Sequence, residues 1–346
     1  MAKIAILGFG TVGSGVYEVL CRNAAGVSRR AGEPVEVKYI LDPKDFSGHP
    51  AADLFIKNFD TILEDPEIKV VVETIGGTRF AYPYVKACLE SGRSVCTSNK
   101  EMVATYGAEL LGLAKAHDCA FLFEASVGGG TPIITPMHQC LAANVISEVE
   151  GIVNGTTNFI MDAMARQGAD FPAVLQRAQE LGYAEADPSA DIDGDDIRRK
   201  LTISANIAFD ALLREEDIPA FGIRTVTGAD VADFRAHGFT CKLLACAQRT
   251  ETGVAAYVEP ALVAEGEPEA AVPGNYNLIS CTGELLGRQS YFGQGAGRYP
   301  TAANVVQDCL DLLTGEDGFY TETARPMAVE ADAVAHPYYV RTRTAD

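Results

Sequence analysis

The sequence predicts an α/β protein: a doubly wound parallel sheet joined to an α+β domain with a mixed sheet. Three observations lead there. Short apolar runs alternate with helical stretches five times within the first 126 residues. A glycine-rich turn, "GFGTVG", follows the first of those runs. Beyond residue 130 the alternation breaks, and strand-like runs follow one another across Gly and Pro.

The elements follow in order. "KIAIL" (3–7) is an apolar run that stops at Gly8, and residues 11–23 read as a helix. "PVEVKYIL" (34–41) is a second strand ending at Asp42, reached through a long loop, "AAGVSRRAGEP". "KVVVETIG" (69–76) is apolar at its centre, as a strand covered on both faces should be. A helix (79–91), a strand (93–100), a helix (101–117) and a strand (119–126) extend the alternation. After "VGGGTPII" come a helix (132–143), a strand (147–155) and two further helical segments. "LTISANIAFDALL" (201–213) is almost wholly apolar and reads as a buried helix. Alternating runs at 240–250, 253–260, 275–282 and 286–292 predict a second, largely antiparallel or mixed sheet. "GQGAGRYPTAANVVQDCLDLL" (293–313) returns to a Gly-rich turn and a helix. The organisation expected is a nucleotide-binding domain over 1–130, completed by 295–325, a substrate-binding, catalytic and dimerisation domain over 131–294, and a tail over 326–346.

Composition narrows the function. With 346 residues the chain can bury two cores. A formal charge of −19 argues against nucleic acid or an anionic membrane as partner. No run approaches the ~18 apolar residues of a membrane helix, and the N-terminus enters a strand with no secretory pattern. Nine scattered cysteines without CxxC, and five histidines, fit reduced cytoplasmic thiols and argue against zinc.

Gly8, Gly10 and Gly13 form GxGxxG between a strand and a helix, the Rossmann-type fingerprint. The first Gly makes the tight turn, the second admits a pyrophosphate, and the third lets helix pack on strand. The intervening Phe9, Thr11 and Val12 lie on the same turn, and the helix start supplies free N–H groups for phosphate. Asp42 at the end of the second strand suits ribose hydroxyls and repels a 2′-phosphate, so NAD is favoured over NADP; Lys44 partly offsets that repulsion.

The most charged stretch is "DIDGDDIRRK" (191–200). It is not an EF-hand loop, since Asp196 and Thr202 stand where Gly and Glu are required. Asp196 and Lys200 are spaced i, i+4 and share a helix face. Such a pair is commonly a surface ion pair worth ~0.3–0.5 kcal/mol. Here Ile203 and Ile207 continue its face, and Ile197, Leu201, Ser204 and Ala208 the adjacent stripe, so the pair sits at the mouth of a buried helix. Burial lowers a lysine pKa while a carboxylate raises it, which can poise Lys200 as a general acid/base. Asp195, Arg198 and Arg199 form the solvated face. Glu185 and Asp191 suit a substrate ammonium; Asn154, Thr156 and the helix start after "NGTTN" could meet its carboxylate.

Several segments in order over residues 1–325 resemble homoserine dehydrogenases, of the short form: "GFGTVGSGV", "TSNKEMVA", "EASVGGGTPII", "GIVNGTTNFI", "AQELGYAEADPSADIDGDDIRRK" and "GQGAGRYPTA". The resemblance implies reversible NAD(P)H-dependent reduction of L-aspartate 4-semialdehyde to L-homoserine, on the route to threonine, methionine and isoleucine. It implies Lys200 as acid/base, Asp196, Glu185 and Asp191 at the substrate, and Lys100 in the reacting region. Gly182 and Gly295 join the cofactor residues. It further implies a Na+ site built from the carbonyls of Glu124, Val127, Gly129 and Thr131, and a homodimer paired through the second sheet. "TSNK" stands where the family often has "TANK". Leu41 stands where many members carry a basic residue for a 2′-phosphate, which sharpens the NAD preference. The chain stops near where many members begin a C-terminal ACT domain, so threonine feedback through one is not expected. Two rivals remain at this point. One is a semialdehyde dehydrogenase using a Cys96 or Cys281 thioester; the other is a non-catalytic NAD-binding sensor.

Overall fold

The computed structural model describes residues 1–141, 143–315 and 324–342. Ala142 of the expected helix 132–143, residues 316–323 of the expected segment 295–325, and the end of the tail (343–346) lie outside them. Among the described residues no helix is long and apolar enough to cross a membrane.

The first sheet contains β1 (Ala2–Leu7), β2 (Val35–Leu41), β3 (Phe55–Ile56), β4 (Ile68–Glu73), β5 (Ser94–Thr97) and β6 (Phe121–Leu122). All pair in parallel, in the order β3-β2-β1-β4-β5-β6. Ile4, Ile6, Val70, Val71 and Val72 are buried, because helices cover both faces. The order reverses between β1 and β4, the switch point at which α/β sheets open a crevice. The helix Arg298–Thr314 packs on this layer, against the helix Thr11–Arg22 and against β4 and β5.

The second sheet holds β7 (Ile146–Ile152), β8 (Phe239–Arg249), β9 (Gly253–Ala264), β10 (Tyr276–Gly283), β11 (Gly287–Gln294) and β12 (Ala328–Val329). Its order is β11-β10-β7-β8-β9-β12, antiparallel except for the parallel β9–β12 pair. The mixed sheet expected from the alternating runs is therefore present. Lys242 on β8 is buried and donates to Asn158 Oδ1 (2.8 Å) and the Val272 carbonyl (2.7 Å), which rivets the helix Gly155–Gln167 to the sheet. Burial pushes its ammonium down to about 8.

Four local expectations need correction. The stretch 24–34 is not a plain loop but contains the helix Ala24–Ala31, which buries Val27 and ends at Gly32 with φ +76°. The first sheet has six strands, because Phe55–Ile56 adds an edge to β2 that is too short for any period to reveal. The strand expected at 119–126 is only Phe121–Leu122, since the next turn, Glu124–Ser126, winds into a 3-10 helix. The buried helix starts at Asp195 and stops at Phe209, where Asp210 takes φ +52°. Asp195 and Asp196 stand in its first turn, where the positive end of the helix dipole favours carboxylates.

Candidate active site

At the nucleotide end each glycine has a distinct physical requirement. Gly8 sits at φ +91°, and a Cβ there would press on Ile75 and Thr74 at 3.0 Å. A Cβ on Gly13 would lie 2.1 Å from the Gly8 carbonyl and 2.6 Å from Thr74 Oγ1. Gly10 faces open space, the cradle a pyrophosphate needs. It precedes the helix Thr11–Arg22, whose first turn carries no acidic residue. Asp42 is buried and accepts from Phe9 N (2.8 Å) and Lys44 N (2.9 Å). The Phe9 ring packs edge-on against Phe46 and Phe55; with Phe46 it lines a cavity of about 340 Å³, together with Ser14, Tyr17, Glu18, His49 and Arg298. These residues fit a dinucleotide. We expect Gly13→Ala to lower thermal stability as well as NADH affinity. Gly10→Ala should weaken binding alone, by at least roughly tenfold, the equivalent of ~1.4 kcal/mol. Thermal melts with fluorescence titration distinguish them, and equal melting losses in both variants would contradict this assignment of roles.

A second polar cluster, where the sequence places the substrate, converges from four elements. Asn154 ends the segment after β7 and caps the helix Gly155–Gln167, its Oδ1 accepting from Thr157 N at 2.9 Å. Its Nδ2 must then face the other way, and it donates to Asp191 Oδ1 (2.7 Å) and Asp196 Oδ2 (2.8 Å). Asp191 comes from the short helix Ser189–Ile192 and Asp196 from the helix Asp195–Phe209. Gly194, at φ +92°, turns the chain between them so that both carboxylates reach the same amide. Lys200 Nζ donates to the Val153 carbonyl (2.6 Å) and pairs with Asp196 Oδ2 (2.8 Å). An ammonium has three donors, so one is left for a reacting oxygen. Asn99 caps the helix Lys100–Ala116 by accepting from Met102 N at 3.1 Å, which places Lys100 in the first turn, ion-paired with Asp196 Oδ1.

Electrostatics follow from this packing. Asp196 is 3% exposed. Burial alone would raise its pKa, but Lys200 and Lys100 together hold it well below the ordinary carboxylate range. Burial raises Asp191, with the Asp196 charge adding to it against the Asn154 hydrogen bond. Lys200 is lowered by burial, opposed by Asp196 and reinforced by Lys100. The cluster can therefore present a buried proton donor of reduced basicity beside a fixed negative charge.

Other expected residues lie around this centre or away from it. Thr156 is buried, but its hydroxyl donates to the Tyr183 carbonyl at 2.6 Å. Glu185 and Gly182 lie on an exposed stretch. The Glu185 main-chain carbonyl accepts from Gln179 Nε2 at 3.0 Å. Gly295 abuts Gly129: a Cβ on Gly129 would meet the Gly295 carbonyl at 2.2 Å. Among the described residues no group of three or more His, Cys, Asp or Glu is placed to hold a metal. The "EASVGGGT" backbone turns through the 3-10 segment Glu124–Ser126 and a left-handed Gly129 (φ +57°), whose carbonyl accepts from Asn304 Nδ2 at 2.8 Å. The Glu124 side chain has a use of its own, accepting from the main-chain N–H groups of Ile133 (2.6 Å), Ile134 (2.9 Å) and Thr135 (2.6 Å). On the half-buried outer face Arg198 pairs with Asp195 (2.8 Å), within the expected salt-bridge group, while Arg199 pairs with Glu215 (3.2 Å), outside it. The thioester rival finds little support: burial pushes the Cys96 thiol well above its ordinary range and Cys281 up to about 11.

Sequence reasoning missed the Val153 carbonyl and Asn99. The first has no side-chain signature. The second had one, since Asn immediately before a helical run is an N-cap signal.

Comparison with known proteins places the chain in one family. The homoserine dehydrogenase family profile covers residues 132–310, and its NAD-binding domain covers 8–124. The chain belongs to the homoserine dehydrogenase family. It is 39% identical to a homoserine dehydrogenase of Pseudomonas aeruginosa, over 99% of this chain and 82% of that one. A homoserine dehydrogenase from Thiobacillus denitrificans superposes with a TM-score of 0.91 at 38% identity, covering 95% of this chain and 79% of that one. A hyperthermophilic archaeal homoserine dehydrogenase in complex with NADPH gives 0.77 at 27% identity, over 90% and 97% of the two chains. This family member is an oxidoreductase, with its NAD-binding domain built on β1–β6.

Proposed function

We propose that this homoserine dehydrogenase interconverts L-aspartate 4-semialdehyde and L-homoserine, with Lys200 as the general acid/base. The observation that carries the reading is the buried Lys200 ammonium, which has two donors engaged by Asp196 and the Val153 carbonyl and a third available. When bound, the dinucleotide supplies a hydride from its nicotinamide ring. In reduction, Lys200 gives a proton to the aldehyde oxygen and becomes a neutral amine; in oxidation it takes the hydroxyl proton back. Asp196 keeps the ammonium oriented and balances Lys100, which contacts the substrate or the nicotinamide side. Asp191 receives the substrate ammonium, with Asn154 fixing its rotamer; Glu185 would have to close over the site to join it. The main-chain N–H groups at the start of the helix Gly155–Gln167 face the substrate carboxylate, the Thr156 hydroxyl being engaged by the Tyr183 carbonyl.

Gly8, Phe9, Gly10, Thr11, Val12 and Gly13 hold the pyrophosphate side. The Asp42 carboxylate, preceded by Leu41, supports NAD over NADP. A Na+ ion held by the carbonyls of Glu124, Val127, Gly129 and Thr131 would stiffen the junction between the two sheets. A homodimer paired through the second sheet accompanies this reading, and sizing at micromolar concentration tests it. The decisive assay follows NADH and NADPH oxidation with aspartate semialdehyde; inactivity with both would refute the function.

The acid/base assignment also fixes a sign with pH. Lys200 must be charged for reduction and neutral for oxidation, and burial lowers its pKa below 10.5. Homoserine oxidation should therefore rise as pH increases through that lowered value, while semialdehyde reduction falls. Profiles of kcat with parallel slopes in the two directions would exclude Lys200 as the titrating group.

A further inference from the structure

Glu73, at the end of β4, is fully buried and plays no part in the chemistry above. Its surroundings form a closed circuit of hydrogen bonds. Glu73 Oε1 accepts from Ile75 N (2.7 Å) and Gly76 N (3.2 Å). Its Oε2 accepts from the Thr97 hydroxyl, and Thr97 Oγ1 accepts from Asn99 N at 2.9 Å. Asn99 Nδ2 closes the circuit by donating to the Gly77 carbonyl at 2.6 Å, while its Oδ1 caps the helix that begins with Lys100. The loop so held contains two left-handed glycines, Gly76 (φ +82°) and Gly77 (φ +65°), and crosses directly over Gly8 of the nucleotide turn.

We propose that Glu73 is a positioning residue for Lys100: acting through Thr97 and Asn99, it sets the first turn from which Lys100 reaches Asp196. The physical reason is one of direction. A carboxylate is acceptor-only, so it can orient the Thr97 hydroxyl towards itself and leave the Thr97 lone pairs for Asn99 N. Burial raises the Glu73 pKa, opposed by these hydrogen bonds. A solvent-facing helix cap would need no such group. The inference rests on the placement of Lys100 in the reacting site.

Glu73→Gln separates positioning from bulk structure. Its amide oxygen can still accept from Ile75 and Gly76, but its NH2 now faces Thr97 and the hydroxyl proton loses its acceptor. Thr97→Val breaks the same link from the other side with little change in volume. Both variants, Lys100→Ala and the two double variants are assayed for homoserine oxidation with the better dinucleotide, alongside NADH titration. The expected result is a fall in kcat of ~10- to 100-fold for each single variant, as misplacement of a reacting group produces. NADH affinity should stay within roughly threefold, and the double variants should be no slower than Lys100→Ala. A folded Glu73→Gln or Thr97→Val with near-wild-type kcat overturns the proposal, as do losses that multiply in the Lys100→Ala background. If Glu73→Gln does not fold, Thr97→Val decides; failure of both to fold assigns Glu73 to the core and overturns it too. Full turnover by Lys100→Ala would instead remove the assignment of Lys100 itself.

Discussion

Lys200→Ala should lower kcat by ~100- to 10,000-fold, the range that loss of a positioned proton donor produces. The loss should fall on kcat more than on the KM for homoserine, because the free Lys200 donor is used by the reacting oxygen. The fold should survive. Truncation removes a buried charge, and Asp196 keeps Lys100 and Asn154 as partners. Steady-state kinetics in both directions, with a thermal melt of each protein, check the expectation. A variant that keeps near-full turnover would refute the role of Lys200, and one that melts far below wild type would leave its kinetics without meaning. The residual rate should also lose the pH dependence expected of the wild type.

Asp196→Ala should combine a large loss of stability with a changed pH profile. Asp196 is bonded to Lys100, Lys200 and Asn154 together. Removing it leaves a buried ammonium without its counter-ion, and breaking a buried pair from one side costs ~3–5 kcal/mol. Part of that cost can be avoided if Lys200 deprotonates. Its pKa should therefore fall further, because the attraction that opposes burial is gone. Reduction should then be impaired at neutral pH more severely than oxidation, whose pH profile shifts to lower pH. Denaturant unfolding and the two pH profiles measure the effects separately. Unchanged unfolding together with an unmoved profile would mean that Asp196 is not the counter-ion of Lys200.

The folded-state depression of the Asp196 pKa carries its own sign. A carboxylate whose pKa is lowered on folding contributes stability above its unfolded value of about 3.9. That contribution is lost as pH falls through the folded value. Wild type should accordingly lose stability on acidification below about pH 4 more steeply than Asp196→Ala.

Much of this protein was legible in local spacing. GxGxxG after an N-terminal strand marked the dinucleotide turn, since Gly8 and Gly13 meet steric demands set within a few residues and one neighbouring strand, while Gly10 leaves the turn open. The i, i+4 spacing of Asp196 and Lys200 placed both on one helix face, and the apolar residues continuing that face correctly implied burial. Helical phase also separated Asp195, Arg198 and Arg199 from that pair. These features depend on periods of a few residues, which a chain carries wherever it docks.

Other features were decided only by tertiary packing. Lys100, Asn154, Asp191 and Asp196 meet because the helix Lys100–Ala116 of the first layer docks beside the helix Asp195–Phe209 of the second. No spacing along the chain encodes that distance. The Gly194 turn that brings Asp191 to the same amide as Asp196 could not be told from a loop glycine until its φ was known. Glu185, grouped with them through the family resemblance, stands exposed here, although Ala184 beside it is buried. The sequence by itself determined the fold class, the dinucleotide turn and the shared helical phase of Asp196 and Lys200, all governed by backbone sterics and helical period. The tertiary structure alone decided which charges share one buried volume, because mutual pKa effects depend on distances through space that only the docking of the two layers sets.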